Sequence, residues 1–221
     1  MQIETPPTEK RYEKPEGERR GLVIVHTGDG KGKSTAAFGL AMRALGRTHV
    51  HGKRVKIFQF MKVPSARFGE HRVFEWLAEV GPPPGRSQGG PAPSEGSEPQ
   101  GGAAWGPLIE GLGDGFSWKS QDLEHSAQLA RDGWQKAKAA ILGGEHFMVT
   151  LDELTYPLIY GWLPLDDVLQ TLRERPRDVH VVITGRRCPP EIIELADTVT
   201  EMTLVKHAFK AGIPAQRGIE D

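Results

Sequence analysis

The segment Gly28–Thr35, which reads Gly-Asp-Gly-Lys-Gly-Lys-Ser-Thr, constrains the fold of this chain more than any other feature. It lies between an apolar, β-branched run, Leu22–His26, and a run with helical periodicity, Ser34–Leu45. Glycines allow backbone N–H groups to approach a polyphosphate, and the positive end of the following helix favours the same ligand. The segment therefore predicts a phosphate-binding loop between a buried strand and a helix.

The side chains of this loop suit a bound nucleotide. We predict that Lys33 reaches the β and γ phosphates of ATP and that the Ser34 hydroxyl ligates Mg²⁺. Thr27 stands where the strict phosphate-loop pattern begins with glycine, so the prediction also depends on the flanking strand and helix. The alternative is a flexible turn rich in Gly and Lys. The predicted ATP-binding residues are Thr27, Gly28, Asp29, Gly30, Lys31, Gly32, Lys33, Ser34 and Thr35.

Two adjacent carboxylates, Asp152 and Glu153, follow the apolar run Phe147–Leu151 directly. The carboxyl ends of strands are where open α/β sheets bind ligands. Mg²⁺ keeps several waters, so one hydroxyl and one carboxylate from the protein suffice. We predict that this pair supplies a Mg²⁺ ligand and leave the choice between the two residues open. The alternative is an ordinary solvated turn.

Strand-like and helix-like runs alternate along the rest of the chain. This alternation predicts an α/β fold, with a mostly parallel sheet covered by helices on both faces. A chain of 221 residues suits one such domain, which we place at residues 21–221. The further predicted strands are Val55–Phe60, Val179–Thr184 and Thr198–Leu204, and the further predicted helices are Arg67–Val80, Leu123–Ile141, Leu165–Arg175 and Pro190–Ala196.

Two segments lack the composition of a packed core. Residues 1–20 mix charges of both signs with prolines, which predicts a flexible N-terminal arm. Gly and Pro make up more than half of residues 81–102, and the rest are mostly small and polar. Such a segment cannot bury enough apolar surface to offset its ordering entropy. Residues 81–107 are therefore predicted to be a disordered surface insertion.

Charge and cysteine usage restrict the partners and the compartment. Lys and Arg number 28 against 29 for Asp and Glu, which argues against a sequence-independent nucleic-acid binder. No apolar run has the length of a membrane span, and no leader is evident. Cys188 is the only cysteine, so no intramolecular disulfide forms. We predict a cytoplasmic protein that binds neither nucleic acid nor membrane.

Six motifs occur together in a fixed order, and together they are far more specific than the phosphate loop alone. The motifs are Gly28–Gly39, Gly115–Trp118, Leu151–Leu154, Ile183–Arg186, Val205–Gly212 and Ala215–Glu220. Through these motifs the chain resembles the P-loop type of ATP:corrinoid adenosyltransferase over roughly residues 21–80 and 108–220. The resemblance implies a RecA-like P-loop NTPase fold, and it does not extend to 81–107, where the family has a much shorter connection.

The resemblance implies an unusual reaction for a phosphate loop. Cobalt(I) of a reduced corrinoid attacks the 5′ carbon of ATP, the adenosyl group is transferred, and the triphosphate leaves whole. The product belongs to adenosylcobalamin biosynthesis or salvage. Because cobalt(I) is itself a strong nucleophile, the protein needs no general base. It must orient the substrates and place positive charge on the departing triphosphate, for which Lys31, Lys33 and Mg²⁺ are candidates.

Phe116 and Trp118 lie two residues apart behind glycines. From the residues alone they are either core aromatics or a platform for a flat ligand. The resemblance implies that they pack near the corrin and help to keep its lower axial position free. Lys33, Phe116 and Trp118 are thus the predicted catalytic residues. The resemblance further implies a homodimer, an N-terminal arm that covers a site, and an electron donor of the flavoprotein reductase type.

Two other functions use the same phosphate loop. A P-loop kinase or ATPase would act at the γ-phosphate, and a nucleotide-dependent binding module would deliver a cofactor without chemistry. The phosphorus products of a reaction with Mg·ATP and reduced corrinoid distinguish these alternatives from adenosyl transfer.

Overall fold

The computed structural model describes residues 15–65, 68–81, 105–114 and 123–219. A six-stranded sheet forms the centre of this part of the chain. Most of its strands are runs of β-branched and other apolar residues, which favour a pleated, buried conformation. In chain order the strands are β1 Val23–Thr27, β2 Arg54–Gln59, β3 Ile109–Gly111, β4 His146–Asp152, β5 His180–Thr184 and β6 Thr198–Glu201.

Helices connect most of the strands. The first begins in the phosphate loop and ends before Gly46, as the sequence pattern predicts. The helices are α1 Lys33–Leu45, α2 Thr48–His51, α3 Gly69–Val80, α4 Leu123–Leu142, α5 Thr155–Ile159, α6 Leu165–Glu174 and α7 Pro190–Leu195, and a 3₁₀ turn covers Phe209–Ala211.

The strand order across the sheet is β3-β2-β4-β5-β1-β6, and every pairing is parallel. The predicted α/β fold with a parallel sheet is therefore confirmed. Strand β5 lies between β1, which leads into the phosphate loop, and β4, which leads into Asp152 and Glu153. Because parallel strands end at the same edge, the loop and the acidic pair come to one side of the sheet.

Two hydrophobic clusters cover the two faces of the sheet. Successive side chains of a strand point to opposite faces, so β5 contributes to both clusters. Ile183 belongs to the cluster that contains Trp134 of α4 and Leu172 of α6. Val182 belongs to the cluster that contains Ala37 of α1 and side chains of α3. Helices on both faces are thus confirmed.

The longest helix, α4, shows the expected amphipathic pattern. Its buried residues recur at steps of three and four, as the sequence predicts. Its outer face carries charged side chains such as Arg131, which pairs with Glu124. The buried stripe of α4 contains Ala127, Ala130, Trp134, Ala137 and Ile141.

None of the helices within the described ranges has the length and apolar character that a membrane span requires.

The structure corrects the last predicted strand. Thr198–Leu204 was expected to be extended throughout, but β6 ends at Glu201. The reason is that its partner β1 ends at Thr27, so no strand remains beside it. The chain instead turns onto the phosphate loop. Met202 N–H donates to Thr27 O at 2.8 Å, and Gly30 N–H donates to Met202 O at 2.6 Å.

Other boundaries differ by one or two residues, and three short elements, β3, α2 and α5, are additions to the predicted set. None of the three is long enough to show a periodic apolar pattern. Helix α3 begins at Gly69 in the described chain, and the predicted start, Arg67, lies outside the described residues.

The two segments predicted to lack order are only partly described. In the N-terminal arm the structure describes residues 15–20, where Arg20 pairs with Asp197. In the predicted insertion it describes Gly81 and residues 105–107, and Trp105 packs against the α1 face of the core. Lys56 Nζ donates to Pro107 O at 2.9 Å. The rest of both segments lies outside the described residues.

Candidate active site

The phosphate loop has the backbone geometry that its glycines predict. Gly28 has a φ of 91° and Gly32 a φ of 107°, both in the region that L side chains rarely adopt. Helix α1 begins directly after Gly32, and no side chain of the described residues caps its first turn. Its leading N–H groups are therefore free of side-chain caps, and together with the helix dipole they form an anion-binding end.

Two of the loop glycines have a second reason to be glycine. A Cβ built on Gly28 would lie 2.5 Å from the Met202 carbonyl oxygen, and one built on Gly30 would lie 2.7 Å from the same atom. The chain after β6 therefore packs directly on the loop. To the phosphate approach that the sequence predicts for these glycines, the structure adds close backbone packing, which braces the loop from one side.

Lys33 is the first residue of α1 and is buried, with 7% of its surface exposed. Its Nζ donates to the Gly30 carbonyl oxygen at 2.7 Å, so the side chain curls back over the loop. Burial lowers the pKa of Lys33, and Arg186 lowers it further, while Glu153 and the other nearby carboxylates oppose the shift. The ammonium group is thus held inside the loop, close to the acidic pair.

Asp152 lies at the end of β4 and is almost completely buried. Both of its carboxylate oxygens accept hydrogen bonds. Thr184 Oγ1 donates to Oδ1 at 2.6 Å, and Gln59 Nε2 donates to Oδ2 at 2.9 Å. The ends of β2, β4 and β5 thus form one polar row with Asp152 at its centre. A carboxylate held in this way suits a supporting role.

Glu153 differs from Asp152 in its backbone conformation and in its hydrogen bonding. It is not a glycine, yet its φ is 60°, a conformation that costs on the order of 1 kcal/mol. Its Oε2 is buried and has no hydrogen-bond partner in the described part of the chain. Burial raises the pKa of Glu153 to about 7, and Asp152 adds to the rise, against the opposing effect of Lys33, Lys62 and Arg186. An unsatisfied buried carboxylate oxygen is what a cation would bind.

Arg186 is a functional candidate to which the sequence interpretation gave no role. It follows the end of β5, and its guanidinium lies 3.5 Å from the carboxylate of Asp29 in the phosphate loop. Its charge also acts on Lys33 and Glu153. The signal was present, because Arg186 closes one of the six motifs and follows a strand on the ligand-binding edge.

Thr184 and Gln59 were also missed as site residues. Each is a polar residue at the carboxyl end of an otherwise apolar strand, and both are buried. That position is a usable signal, because a buried polar side chain needs a partner and the partner here is Asp152.

The remaining predicted residues differ in their burial. Thr27 is buried, and its Oγ1 accepts a hydrogen bond from the Cys188 N–H at 3.3 Å, so its side chain supports the loop from below. Asp29, Lys31 and Thr35 are exposed, and Ser34 is partly buried at the start of α1. Phe116 and Trp118 lie outside the described residues.

The protein atoms around the loop do not form a complete metal site. Within the described ranges, no group of three or more His, Cys, Asp and Glu side chains could hold a metal ion. A cation at Glu153 would therefore take most of its ligands from phosphate oxygens and water. This is the usual arrangement for Mg²⁺ at a nucleotide.

Known proteins of one family match almost the whole chain. The sequence model described as ATP:corrinoid adenosyltransferase BtuR/CobO/CobP matches residues 19–220. A corrinoid adenosyltransferase of Escherichia coli is 41% identical over 92% of this chain and 87% of its own length. One of Pseudomonas aeruginosa is 41% identical over 92% and 85%, and one of Sinorhizobium is 36% identical over 92% and 81%.

These matches confirm the resemblance drawn from the six motifs, because they extend from the last residues of the arm to the C-terminal tail. They also show the kind of enzyme, since the curated relatives named here are adenosyltransferases. The chain belongs to the ATP:corrinoid adenosyltransferase family, and it is a transferase.

Proposed function

We propose that this chain transfers the 5′-deoxyadenosyl group of ATP to the cobalt(I) of a reduced corrinoid and releases triphosphate. The observation that carries the proposal is the combination of the glycine-rich loop before α1 with a family match over residues 19–220. In the proposed reaction, cobalt(I) donates an electron pair to C5′. The bond from C5′ to oxygen breaks, and that oxygen leaves with the triphosphate.

The loop residues stabilise the leaving group. Triphosphate gains negative charge as the C5′–O bond breaks, and fixed positive groups at that place lower the barrier. Lys33 is held inside the loop by its bond to Gly30 O, and the uncapped N–H groups of α1 point to the same ligand. Arg186 adds a cation beside Asp29. These groups need little reorganisation when the substrate binds.

The residues present fit a bound Mg²⁺. Glu153 offers a buried oxygen that has no hydrogen-bond partner among the residues described, and Ser34 offers a hydroxyl at the start of α1. Asp152 has both oxygens occupied by Thr184 and Gln59. We therefore assign direct ligation to Glu153 and support of the site to Asp152. When bound, Mg²⁺ would neutralise charge on the triphosphate.

Phe116 and Trp118 are proposed to contact the corrin and to keep its lower axial position free of a ligand. An apolar wall there favours cobalt with fewer ligands, which eases reduction of cobalt(II). The support is the family match, which spans this segment. A Phe116→Ala, Trp118→Ala double variant should lose activity mainly in assays that start from cobalt(II). Equal loss with prereduced cobalt(I) would contradict the assignment.

The active protein is proposed to be a cytoplasmic homodimer that receives electrons from a flavoprotein-type reductase. The support for a second subunit is the exposure of large apolar side chains in the C-terminal segment. Val205, Phe209 and Ile219 are each more than 70% exposed. Light scattering measures the mass directly, and a monomer at assay concentration would contradict this part of the proposal.

A hydrolytic function is the second candidate, and one observation favours it. Burial raises the pKa of Glu153 to about 7, and the charge of Lys33 acts on the same carboxylate. A carboxylate with this pKa would suit the role of a general base that activates water at the γ-phosphate. Adenosyl transfer does not need that base. The two functions therefore make different products from the same substrate.

One reaction separates the candidates. The protein is incubated with Mg·ATP and chemically reduced corrinoid, and the corrinoid spectrum and phosphorus products are followed together. Adenosyl transfer predicts intact triphosphate and a light-sensitive alkylcobalt spectrum. Orthophosphate in stoichiometric amount, without alkylcobalt, would replace the proposal with the hydrolytic function.

A further inference from the structure

Thr184 occupies a central place in the sheet edge that carries the proposed site. It ends β5, the strand between β1 with its phosphate loop and β4 with its carboxylates. Its side chain is completely buried. Its neighbour in β1 is His26, and the next residue, Gly185, donates its N–H to His26 O at 3.2 Å. The backbone at Thr184 is therefore held in register by β1, the strand that leads into the phosphate loop.

One hydroxyl group makes two different contacts with the acidic pair. Thr184 Oγ1 donates its proton to Asp152 Oδ1 at 2.6 Å. The same oxygen accepts the backbone N–H of Glu153 at 3.0 Å. The hydroxyl thus joins the side chain of one residue to the main chain of the next. Gln59 Nε2 fixes the other oxygen of Asp152 at 2.9 Å, so the carboxylate cannot rotate away.

The contact with the main chain of Glu153 has a specific consequence. Glu153 adopts a φ of 60°, which is strained for a residue with a side chain. Among the described residues, its Oε2 has no hydrogen-bond partner that would orient the carboxylate. Two backbone hydrogen bonds act on this residue: the N–H donates to Thr184, and the carbonyl oxygen accepts from Tyr156 N–H at 3.2 Å. Only the first comes from the strand next to the phosphate loop.

We infer that Thr184 is a positioning residue, which sets the backbone of Glu153 so that its carboxylate meets the Mg²⁺ of bound Mg·ATP. This inference rests on the proposed role of Glu153 as the Mg²⁺ ligand. Thr184 itself touches neither the nucleotide nor the corrinoid in this account. It acts through a hydroxyl that serves as donor to Asp152 and acceptor from Glu153. Residues behind a metal ligand typically contribute 10-fold to 100-fold to metal affinity.

The chain offers a matched control for the loss of a buried hydroxyl. Thr150 lies on β4, two residues before Asp152, and is completely buried. Its Oγ1 has no hydrogen-bond partner within the ranges that the structure describes. Thr184→Val and Thr150→Val therefore make the same chemical change at the same depth, but only the first removes contacts with the acidic pair. Thr184→Ser keeps the hydroxyl and should behave as the unmodified protein.

The test compares ATP binding with Mg²⁺ and with EDTA by calorimetry on the full-length protein. For the unmodified chain, Mg²⁺ should tighten ATP binding. In Thr184→Val that gain should fall about tenfold, while the Kd in EDTA should stay within about twofold. Thr150→Val and Thr184→Ser should keep the full gain. If Thr184→Val does not fold, Thr184→Ala removes the same hydroxyl and replaces it in the comparison.

A merely structural role gives a different pattern. If Thr184→Val weakens ATP binding equally with Mg²⁺ and with EDTA, or if Thr150→Val loses the same gain, the positioning role is wrong. If the unmodified chain shows no Mg²⁺-dependent gain, Glu153 is not a Mg²⁺ ligand and the inference falls with that assignment. Adenosyl transfer is measured in a separate assay, by the formation of the adenosylated product. The absence of a Mg²⁺-dependent gain in ATP binding would therefore leave the proposed reaction intact.

Discussion

The two edges of the same sheet differ in how their buried and partly buried polar groups are paired. At the amino edge, the imidazoles at the starts of β4 and β5 are partly buried and have partners. His180 Nδ1 accepts the N–H of Leu22 at 3.1 Å, and His146 Nδ1 lies 3.2 Å from Ala140 O. At the carboxyl edge, several buried atoms have no hydrogen-bond partner in the part of the chain that the structure describes, among them Glu153 Oε2 and both ring nitrogens of His26.

The comparison shows which edge of the sheet has polar groups that are available to bind a ligand. Lys53, at the amino edge, donates to Gly144 O at 2.8 Å and also pairs with Asp178, so its charge serves the fold. Lys33, at the carboxyl edge, is buried, and burial lowers its pKa. Among the described residues, its Nζ donates to Gly30 O and not to a carboxylate. An unpaired buried polar group costs stability, so the carboxyl edge is destabilised until a ligand satisfies it.

Replacing the two lysines should separate the edges most strongly. Lys33→Met is expected to lower kcat/KM for ATP by about 10³, because it removes the buried cation from the leaving group. Its free energy of unfolding should stay constant or rise, since a desolvated charge is removed. Lys53→Met should keep full activity and lose about 1 kcal/mol of stability. Kinetics and denaturant unfolding measure both effects, and equal activity loss in the two variants would contradict the comparison.

The pH dependence of stability should have opposite signs at the two edges. Because the folded protein raises the pKa of Glu153 from 4.5 to about 7, Glu153 stabilises the fold below pH 4.5, and this contribution is lost as the pH rises through 7. The free energy of unfolding of Glu153→Gln should therefore exceed that of the unmodified protein by about 3 kcal/mol at pH 8, with little difference near pH 4.5. The measurement is denaturant unfolding without nucleotide at both values.

The amino edge provides the control for this titration. Burial lowers the pKa of His180, with Arg175 and His51 adding to the effect. A histidine with a lowered pKa destabilises the fold as the pH falls, which is the reverse of the Glu153 effect. His180→Gln should reduce the loss of stability that occurs as the pH falls. It should leave unchanged the loss of stability that Glu153 causes as the pH rises from 4.5 to 8. A gain for Glu153→Gln that does not depend on pH would contradict the assigned titration.

The smallest effect is expected at the exposed ion pair between Arg186 and Asp29. Both side chains are about half exposed or more, so the pair contributes little to stability. Asp29→Asn should change the free energy of unfolding by less than about 0.5 kcal/mol. It should also lower the KM for ATP slightly, because it removes a negative charge from the phosphate loop. A large loss of stability would show that this part of the carboxyl edge is structural after all.

The sequence was sufficient for the fold because the fold depends on repeated patterns. The apolar strand before Gly28, the stripe of α4 and the alternation of elements each predict their structures from many residues at once. The end of β6 could not be predicted, since it depends on where β1 ends and on how Met202 packs against Gly28 and Gly30. That contact joins parts of the chain about 170 residues apart in the printed sequence.

The site was predictable only in its outline. Gly28–Thr35 and the carboxylates at 152 and 153 stand out as motifs, but adjacent carboxylates look alike in a sequence. The difference between Asp152 and Glu153 arises from Thr184 and Gln59, which come from other strands. No local pattern contains that information. The roles of Phe116 and Trp118 stay a prediction, because these residues lie outside the described part of the chain.

The central claim is that the carboxyl edge holds a triphosphate that leaves whole. The most direct measurement uses ATP with ¹⁸O in the bridge between C5′ and the α-phosphate, together with reduced corrinoid and the unmodified protein. Mass spectrometry of the products should find the label in free triphosphate, in equal amount to the adenosylated corrinoid. Label retained in ADP, with orthophosphate as the other product, would show cleavage at the γ-phosphate and contradict the account.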